Sequence, residues 1–324
     1  TYRLRERDER VYPQGELARR TIGQVGDKGN YGVEYVLRDV LEGRDGKARR
    51  QRIARGFYGR VVGGDNSEPE DGLDVVTTLD LEMQDVADRA LRRQLEAQNA
   101  LWGTALVMEV ATGDLLAMAN LSRTKSGAYA EVKNHALSSR MEPGSTFKLA
   151  ALLALVDDAG MSLDETFDTG NGARVKVGRT TVQDSHGLPP LNLKDAVAHS
   201  SNVFFARAVY ETYKDDPERY VDYLRHLHLD RTVGLEEFGA VAPIFPAPGM
   251  KIWYPDVSIV NMGYGYAIEL TPLHTLTLYN AVANDGCMVA PRLVREIRRG
   301  GEVVERPERR VLVDKICSSS ALRK

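Results

Sequence analysis

The order of apolar and polar positions divides the chain into a mixed first part and a mainly helical second part. Residues 74–79 (DVVTTL) read as a strand. Asp80 follows as the N-cap of a helix running to about residue 95, with Met83, Val86, Ala87, Ala90 and Leu91 sharing one face. Two apolar runs, 104–110 and 115–121, flank Ala111-Thr112-Gly113-Asp114. That is a β-hairpin signature, its core side set by Val107 and Met108 or their neighbours. Both runs are almost continuously apolar, which predicts a sheet covered on both faces. Beyond residue 142 apolar positions recur at helical spacing in 148–156, 196–210, 217–227 and 271–284. A last strand-like pair, 293–297 and 303–304, flanks Gly300-Gly301.

Residues 1–72 are rich in Arg and Gly with short apolar runs, which predicts a small mixed lobe. The polar stretch 63–72 (GGDNSEPEDG) is the linker candidate. No internal repeat or low-complexity tract interrupts the pattern. The expected architecture is therefore α+β, with one unit over 1–72 and a second over 73–324.

Composition changes this picture little. With 324 residues, 43% hydrophobic and 27% charged, the chain can bury a sizeable core. Its net charge of −3 hides an asymmetry: residues 1–60 carry 15 Lys and Arg against 9 Asp and Glu, the remainder 28 against 37. A basic first segment suits an anionic membrane surface or polymer, although its charges interleave with acids as on a solvated face. Two cysteines, Cys287 and Cys317, exclude a disulfide framework and any C-x-x-C pair. The six histidines never take a metal-ligand spacing with an acidic partner, so neither metal nor cofactor is expected. No apolar run approaches the ~18 residues of a membrane span. The chain opens on Thr1, and residues 316–324 (ICSSSALRK) read as the start of a helix cut off mid-pattern. Truncation at both ends is expected, and the missing targeting segment then says nothing about location.

The chemistry concentrates in two strings. In EPGSTFKLAALLALVDDAG (142–160), Pro143-Gly144 predicts a turn and a helix follows from Ser145 to about Asp158. Lys148 lies three residues after Ser145, on the same face and one turn above. A desolvated lysine there can take the hydroxyl proton, and the helix N-terminus favours developing negative charge. S-x-x-K arises about once by chance in a chain this long, and serine is a favoured N-cap. It occurs again at Ser122-Arg123-Thr124-Lys125, but there in a polar loop rather than opening an apolar helix.

The second string is AVAHSSNVFFARAV (196–209), with Ser200-Ser201-Asn202 in or beside an apolar helical stretch. A hydroxyl can relay a proton between Lys148 and a leaving amine, and an amide can bind both the lysine and a substrate carbonyl. S-x-x-K followed about 50 residues later by S-x-N makes two-thirds of the motif set of β-lactamases and penicillin-binding proteins. The third member, K-[ST]-G, appears only as Lys125-Ser126-Gly127, upstream and in a loop, and reads as a decoy. Asp184-Ser185-His186 reads as a turn rather than a triad. Gly263-Tyr264-Gly265 lacks the strand and later glycine of a phosphate loop.

These strings, in this order, resemble the class B penicillin-binding proteins from near the first residue to the last. Residues 10–25 (RVYPQGELARRTIGQV) and 31–47 resemble the non-catalytic pedestal of that class. The hairpin strings, EPGSTFK, SSN and NMGYGYAIELTPLHTLTLYNAVANDG follow in the family's order. The resemblance implies a penicillin-binding transpeptidase fold, a mixed sheet plus a helical subdomain with the site between them. It implies Ser145 as nucleophile, Lys148 as base, and Ser200 and Asn202 as proton relay and substrate ligand. The implied reaction cross-links peptidoglycan stem peptides at D-Ala-D-Ala through an acyl-enzyme, with β-lactams acylating Ser145. A membrane glycosyltransferase and division or elongation proteins are implied partners, nucleic acid is not, and an N-terminal anchor would hold the catalytic part outside the cytoplasm.

Two departures qualify the resemblance. No K-T-G follows Asn202, so one wall of the cleft and the strands beyond it are expected to be missing and the fragment inactive. Val203-Phe204 stands where many division-type members carry Gly at the second position, while 271–291 is closer to division-type enzymes. Two rivals remain: a β-lactamase or β-lactam sensor, opposed by the pedestal-like strings, and a non-catalytic cell-wall scaffold, which the missing motif would allow.

Overall fold

The structure is a computed structural model that describes residues 11–26, 29–47, 50–54, 57–60 and 66–324. The opening residues 1–10 and the first part of the expected linker, 63–65, lie outside these. In the early segment, helical turns form at Arg19–Ile22, Gly32–Val36 and Arg38–Leu41, and the strands Arg50–Ala54 and Phe57–Arg60 pair antiparallel. The segment is tied to the later chain: the Arg20 N–H donates to Glu131 Oε2 at 2.7 Å.

Strand β1 (Asp74–Thr77) leads into helix α1 (Leu81–Ala97), which starts because the Asp80 carboxylate accepts the Met83 N–H at 2.9 Å. The expected inward face of this helix is wrong in part. Gln84, Ala87 and Leu95 are buried, whereas Met83 and Val86 are exposed. The surface beneath it decides this: Ala87 meets Ala117 and Ala119, and Leu91 and Leu95 meet Leu121 and Tyr129. These small side chains let the helix lie close to the sheet, and the row through Ala87 and Leu91 takes the contact.

The hairpin forms as expected from β2 (Trp102–Met108) and β3 (Leu115–Arg123), paired from Trp102↔Ser122 to Val107↔Ala117 with an irregularity before Met108. Two-sided cover holds for β3, where Leu115 and Met118 join Leu137, Leu273 and Leu293 while Ala117 and Ala119 face α1. It does not hold for β2. Leu106 and Met108 pack inward, but Val107 is exposed, and the outer edge of β2 has no strand partner among the described residues.

Residues 142–291 are mainly helical, as expected, and carry most of the core. The helix predicted over 145–158 is continuous but changes pitch: a tight turn at Gly144–Phe147, α2 (Lys148–Leu153), then a wide turn at Ala154–Asp158. The run predicted over 196–210 is two helices, α3 (Leu193–Ala198) and α4 (Asn202–Tyr213). It breaks because Ser200 sits at φ 52, in the left-handed region that a helix cannot pass through. Phe147, Ala150, Val203, Phe204, Tyr213 and Tyr220 lie in the largest buried cluster, which locks α2 against α4. Helix α5 (Pro272–Ala283) opens on a proline, which costs nothing at a first turn.

Strand β4 (Val294–Arg299) pairs with Glu302–Glu305 as its Gly-Gly turn predicts, and on its other side with β1. That second pairing, between residues some 220 apart, has no local signal. Thr78 Oγ1 lies 2.7 Å from Leu115 O and 3.0 Å from Arg292 O. A parallel bridge Asp114↔Arg292 joins the hairpin to this sheet and makes the assembly mixed. The closing turn Ser319–Leu322 is capped by the Ser318 side chain. Among the described residues no helix is long and apolar enough to cross a membrane.

Candidate active site

The structure brings together all four residues singled out from the two strings. Lys148 is their hub, 6% exposed although Ser145 and Ser200 are open to solvent. Its Nζ lies 3.2 Å from Ser145 Oγ, 2.5 Å from Ser200 O, 3.1 Å from Ser200 Oγ and 2.7 Å from Asn202 Oδ1. An ammonium has three protons for these four oxygens. The contact to Ser145 Oγ is the longest, and it is the one that can reverse, the hydroxyl donating to a neutral amine. Burial pushes the Lys148 ammonium down to about 8, with the negative charge of Asp184 partly opposing. About a tenth of the molecules then hold a neutral amine at pH 7.

The geometry follows from local structure. Gly144, at φ 55, turns the chain so that Ser145 opens the helical segment, and the Thr146 hydroxyl donates to Pro143 O at 2.7 Å. Three groups from the later chain brace this turn. Gly265 O accepts the Gly144 N–H at 2.9 Å, Glu142 Oε1 accepts the Ala267 N–H at 2.9 Å, and the Tyr279 hydroxyl donates to Thr146 O at 3.0 Å. The left-handed Ser200 aims both its carbonyl and its hydroxyl at Lys148, a conformation costing roughly 1 kcal/mol. Asn202 is the first residue of α4, so its side chain projects from a helix end packed against α2.

Asp184 was not legible as part of this site. Its tripeptide does not form a triad: Ser185 Oγ meets His186 Nδ1 at 3.0 Å, while the Asp184 carboxylate turns inward. It accepts the Ser201 hydroxyl at 2.8 Å and the N–H groups of Asn202 at 2.5 Å and Val203 at 3.2 Å. A lone acid in a polar stretch upstream of S-x-N carries no pattern that could have revealed this. The bracing role of Gly265 and Tyr279 was equally hidden.

The decoys are placed elsewhere. Ser122 lies within β3 rather than in the polar loop expected, its Oγ 2.8 Å from His135 Nε2, a ring stacked on Trp102, and Lys125-Ser126-Gly127 forms an exposed turn. Burial pushes the His135 imidazole down to about 4, so the pair is a neutral structural contact. Among the described residues no three His, Cys, Asp or Glu side chains are placed to hold a metal ion.

An α+β scaffold with Ser-x-x-Lys opening one helix and Ser-x-Asn at a facing joint defines the class of active-site-serine, penicillin-recognising proteins. Within that class, the chain belongs to the penicillin-binding protein transpeptidase family, whose transpeptidase domain model matches residues 103–324. It is 30% identical over 305 residues to penicillin-binding protein PbpB of Mycobacterium tuberculosis, covering 89% of this chain and 43% of that one. To FtsI of Caulobacter vibrioides, a probable peptidoglycan D,D-transpeptidase, it is 26% identical, covering 98% of this chain and 49% of that one. The crystal structure of penicillin-binding protein 3 from Mycobacterium tuberculosis with aztreonam superposes with a TM-score of 0.78 at 26% identity, over 97% of this chain and 66% of that one. Penicillin-binding protein 2X of Streptococcus thermophilus shares the fold at 21% identity, TM-score 0.77, over 96% of this chain and 47% of that one. The chain spans less than half the length of the relatives PbpB and FtsI.

Proposed function

We propose that the protein of which this chain is part is a serine D,D-transpeptidase that cross-links peptidoglycan stem peptides and is a target of β-lactams. The observation that carries this reading is the convergence of Ser145, Ser200 and Asn202 on the buried Lys148 Nζ. Neutral Lys148 takes the Ser145 proton as Oγ attacks the carbonyl of the D-Ala-D-Ala bond. The carbon–nitrogen bond then breaks, and the proton reaches the departing D-Ala amine through the Ser200 hydroxyl. Asn202 holds Lys148 through Oδ1 and leaves its amide N–H₂ for a substrate carbonyl. An amine of a second stem attacks the Ser145 ester, gives its surplus proton back through the same pair, and restores the serine. None of these steps needs a cofactor. A β-lactam undergoes the first half alone, its ring opening on Ser145.

Relatives named as D,D-transpeptidases and a solved relative complexed with aztreonam or ampicillin support this reading. A septal role is the finer reading, drawn from the likeness of 271–291 to division-type enzymes. We read 1–72 as part of a pedestal and 73–324 as the transpeptidase unit. The catalytic part would stand outside the cytoplasm on an N-terminal anchor, beside a membrane glycosyltransferase and division or elongation proteins. The test is covalent labelling of the intact protein with a fluorescent penicillin and mapping of the adduct. The label should sit on Ser145 and vanish in Ser145→Ala; label that survives that substitution removes the assignment.

A further inference from the structure

We propose that Asp184 is a positioning residue of this site, its buried carboxylate holding the Ser200–Asn202 joint in the one conformation that aims Ser200 and Asn202 at Lys148. The inference rests on the acyl-transfer reading above and assigns the residue that sets its geometry.

Asp184 is 7% exposed and collects donors from three consecutive residues: the Ser201 hydroxyl, the Asn202 N–H and the Val203 N–H. The two N–H groups belong to the first turn of α4 and would otherwise be orphans in the interior. Ser201 adds a relay, accepting the Phe204 N–H at 3.0 Å while donating to Asp184. The start of α4 is thus fastened through Asp184 rather than by its own cap alone. The residue immediately before this cluster is Ser200, held left-handed at φ 52. An unsupported serine would leave that region, because its Cβ crowds the backbone there. Hydrogen bonds to a charged acceptor are stronger than those between neutral groups, and three of them converge on Asp184 to hold the strained joint.

The carboxylate also acts on the base directly. The polar groups within reach of Lys148 are Ser145 on its own helical segment and Ser200 and Asn202 across the joint, with the Phe205 ring of α4 at 5.8 Å. Among the described residues, the charge that acts on Lys148 is that of Asp184, and its effect is to favour the ammonium. Asp184 therefore keeps the lysine from falling too far and sets the pH at which the base becomes available.

The test compares native protein, Asp184→Asn and Asp184→Glu in the intact protein. Asp184→Asn keeps the shape but removes the charge and one acceptor. Acylation by a fluorescent penicillin, measured from about pH 5 to 10, should rise with a lower midpoint in Asp184→Asn than in the native protein, with a plateau at least about tenfold lower. Asp184→Glu, which restores the charge, should bring the midpoint back. A carboxylate that merely stabilised the fold would lower the melting temperature and leave the midpoint where it is; that result overturns the proposal. The titration of Lys148 monitored by NMR on carbon-13-labelled lysine reads the same shift without turnover. If the native protein takes no label on Ser145 the transpeptidase reading fails, while an unchanged Lys148 titration in Asp184→Asn defeats this inference alone.

Discussion

Gly265 and Gly144 meet backbone to backbone: the Gly265 carbonyl accepts the Gly144 N–H at 2.9 Å, and a Cβ on Gly265 would stand 1.9 Å from the Gly144 carbonyl oxygen. Gly265 is also at φ +90, where an L side chain is strained. The residue after Gly144 is Ser145, so any side chain at 265 must move the turn that carries the proposed nucleophile. A displacement near 1 Å can cost about 100-fold in rate. Gly265→Ala should therefore fold, keep its far-ultraviolet dichroism, and acylate about 100-fold more slowly in a stopped-flow penicillin assay. Native-like acylation would mean that the turn tolerates the shift.

Lys148 gives the pH dependence. Burial pushes its ammonium down to about 8, so the neutral base accumulates as the pH rises through that value. Acylation should climb from about pH 6 and level off above about pH 9. Stability moves in the same direction. The folded state releases its proton near 8 and the unfolded chain near 10.5, so the penalty is full below 8 and relieved as pH rises between the two. Lys148→Arg keeps a charge that cannot be lost, and should abolish the rising limb along with acylation. A surviving limb in that variant would assign it to another group.

How much of this was written in the sequence depends on how local each feature is. The hairpin, the Asp80 cap and the S-x-x-K turn are set by neighbours in the chain, and each appears where the pattern puts it. The inward face of α1 was misjudged because the residues that decide it, Ala117 and Ala119, belong to a strand some 30 positions away. Ser200 was recognisable as chemistry, and a polar loop between two helices was one reading of its string, but its left-handed conformation was not legible, since serine is no ordinary left-handed residue and the contacts of its neighbours hold it there. Asp184, Gly265 and Tyr279 act through distance, and their spacing to Ser145 or Asn202 carries no period. The pairing of β1 with β4 belongs to the same kind.

Asp114 and Arg292 fasten the hairpin to the sheet that β1 and β4 form. The carboxylate is nearly buried, its side chain 4% exposed, and accepts the guanidinium Nε at 2.6 Å, with Arg295 at 3.5 Å. Removing Arg292 leaves the buried carboxylate only the more distant and more exposed Arg295, a loss below the about 3–5 kcal/mol of a wholly stranded charge. Arg292→Met should lower the chemical denaturation midpoint accordingly, and Asp114→Asn in the same chain should recover part of the loss. If the double variant is as unstable as the single, the cost lies in lost packing rather than in the stranded carboxylate.

Glu131 sits where the early segment meets the hairpin, its carboxylate accepting the N–H of Arg20 at 2.7 Å and that of Asn120 at 3.3 Å. Burial pushes this carboxyl up to about 7, the two N–H groups opposing it in part. Between 4.5 and about 7 the folded state keeps a proton that the unfolded chain has released. Stability must therefore fall as the pH rises through that window, with the full penalty present above it. The melting temperature of the native protein should drop between about pH 5 and pH 7.5, and the protection of the Arg20 amide relative to its intrinsic, base-catalysed exchange rate should fall over the same range. Glu131→Gln cannot titrate, so its melting temperature should stay nearly level across the window even though it loses one acceptor. Parallel curves for the two proteins would show that Glu131 is already ionised in the folded chain and that the junction does not respond to pH.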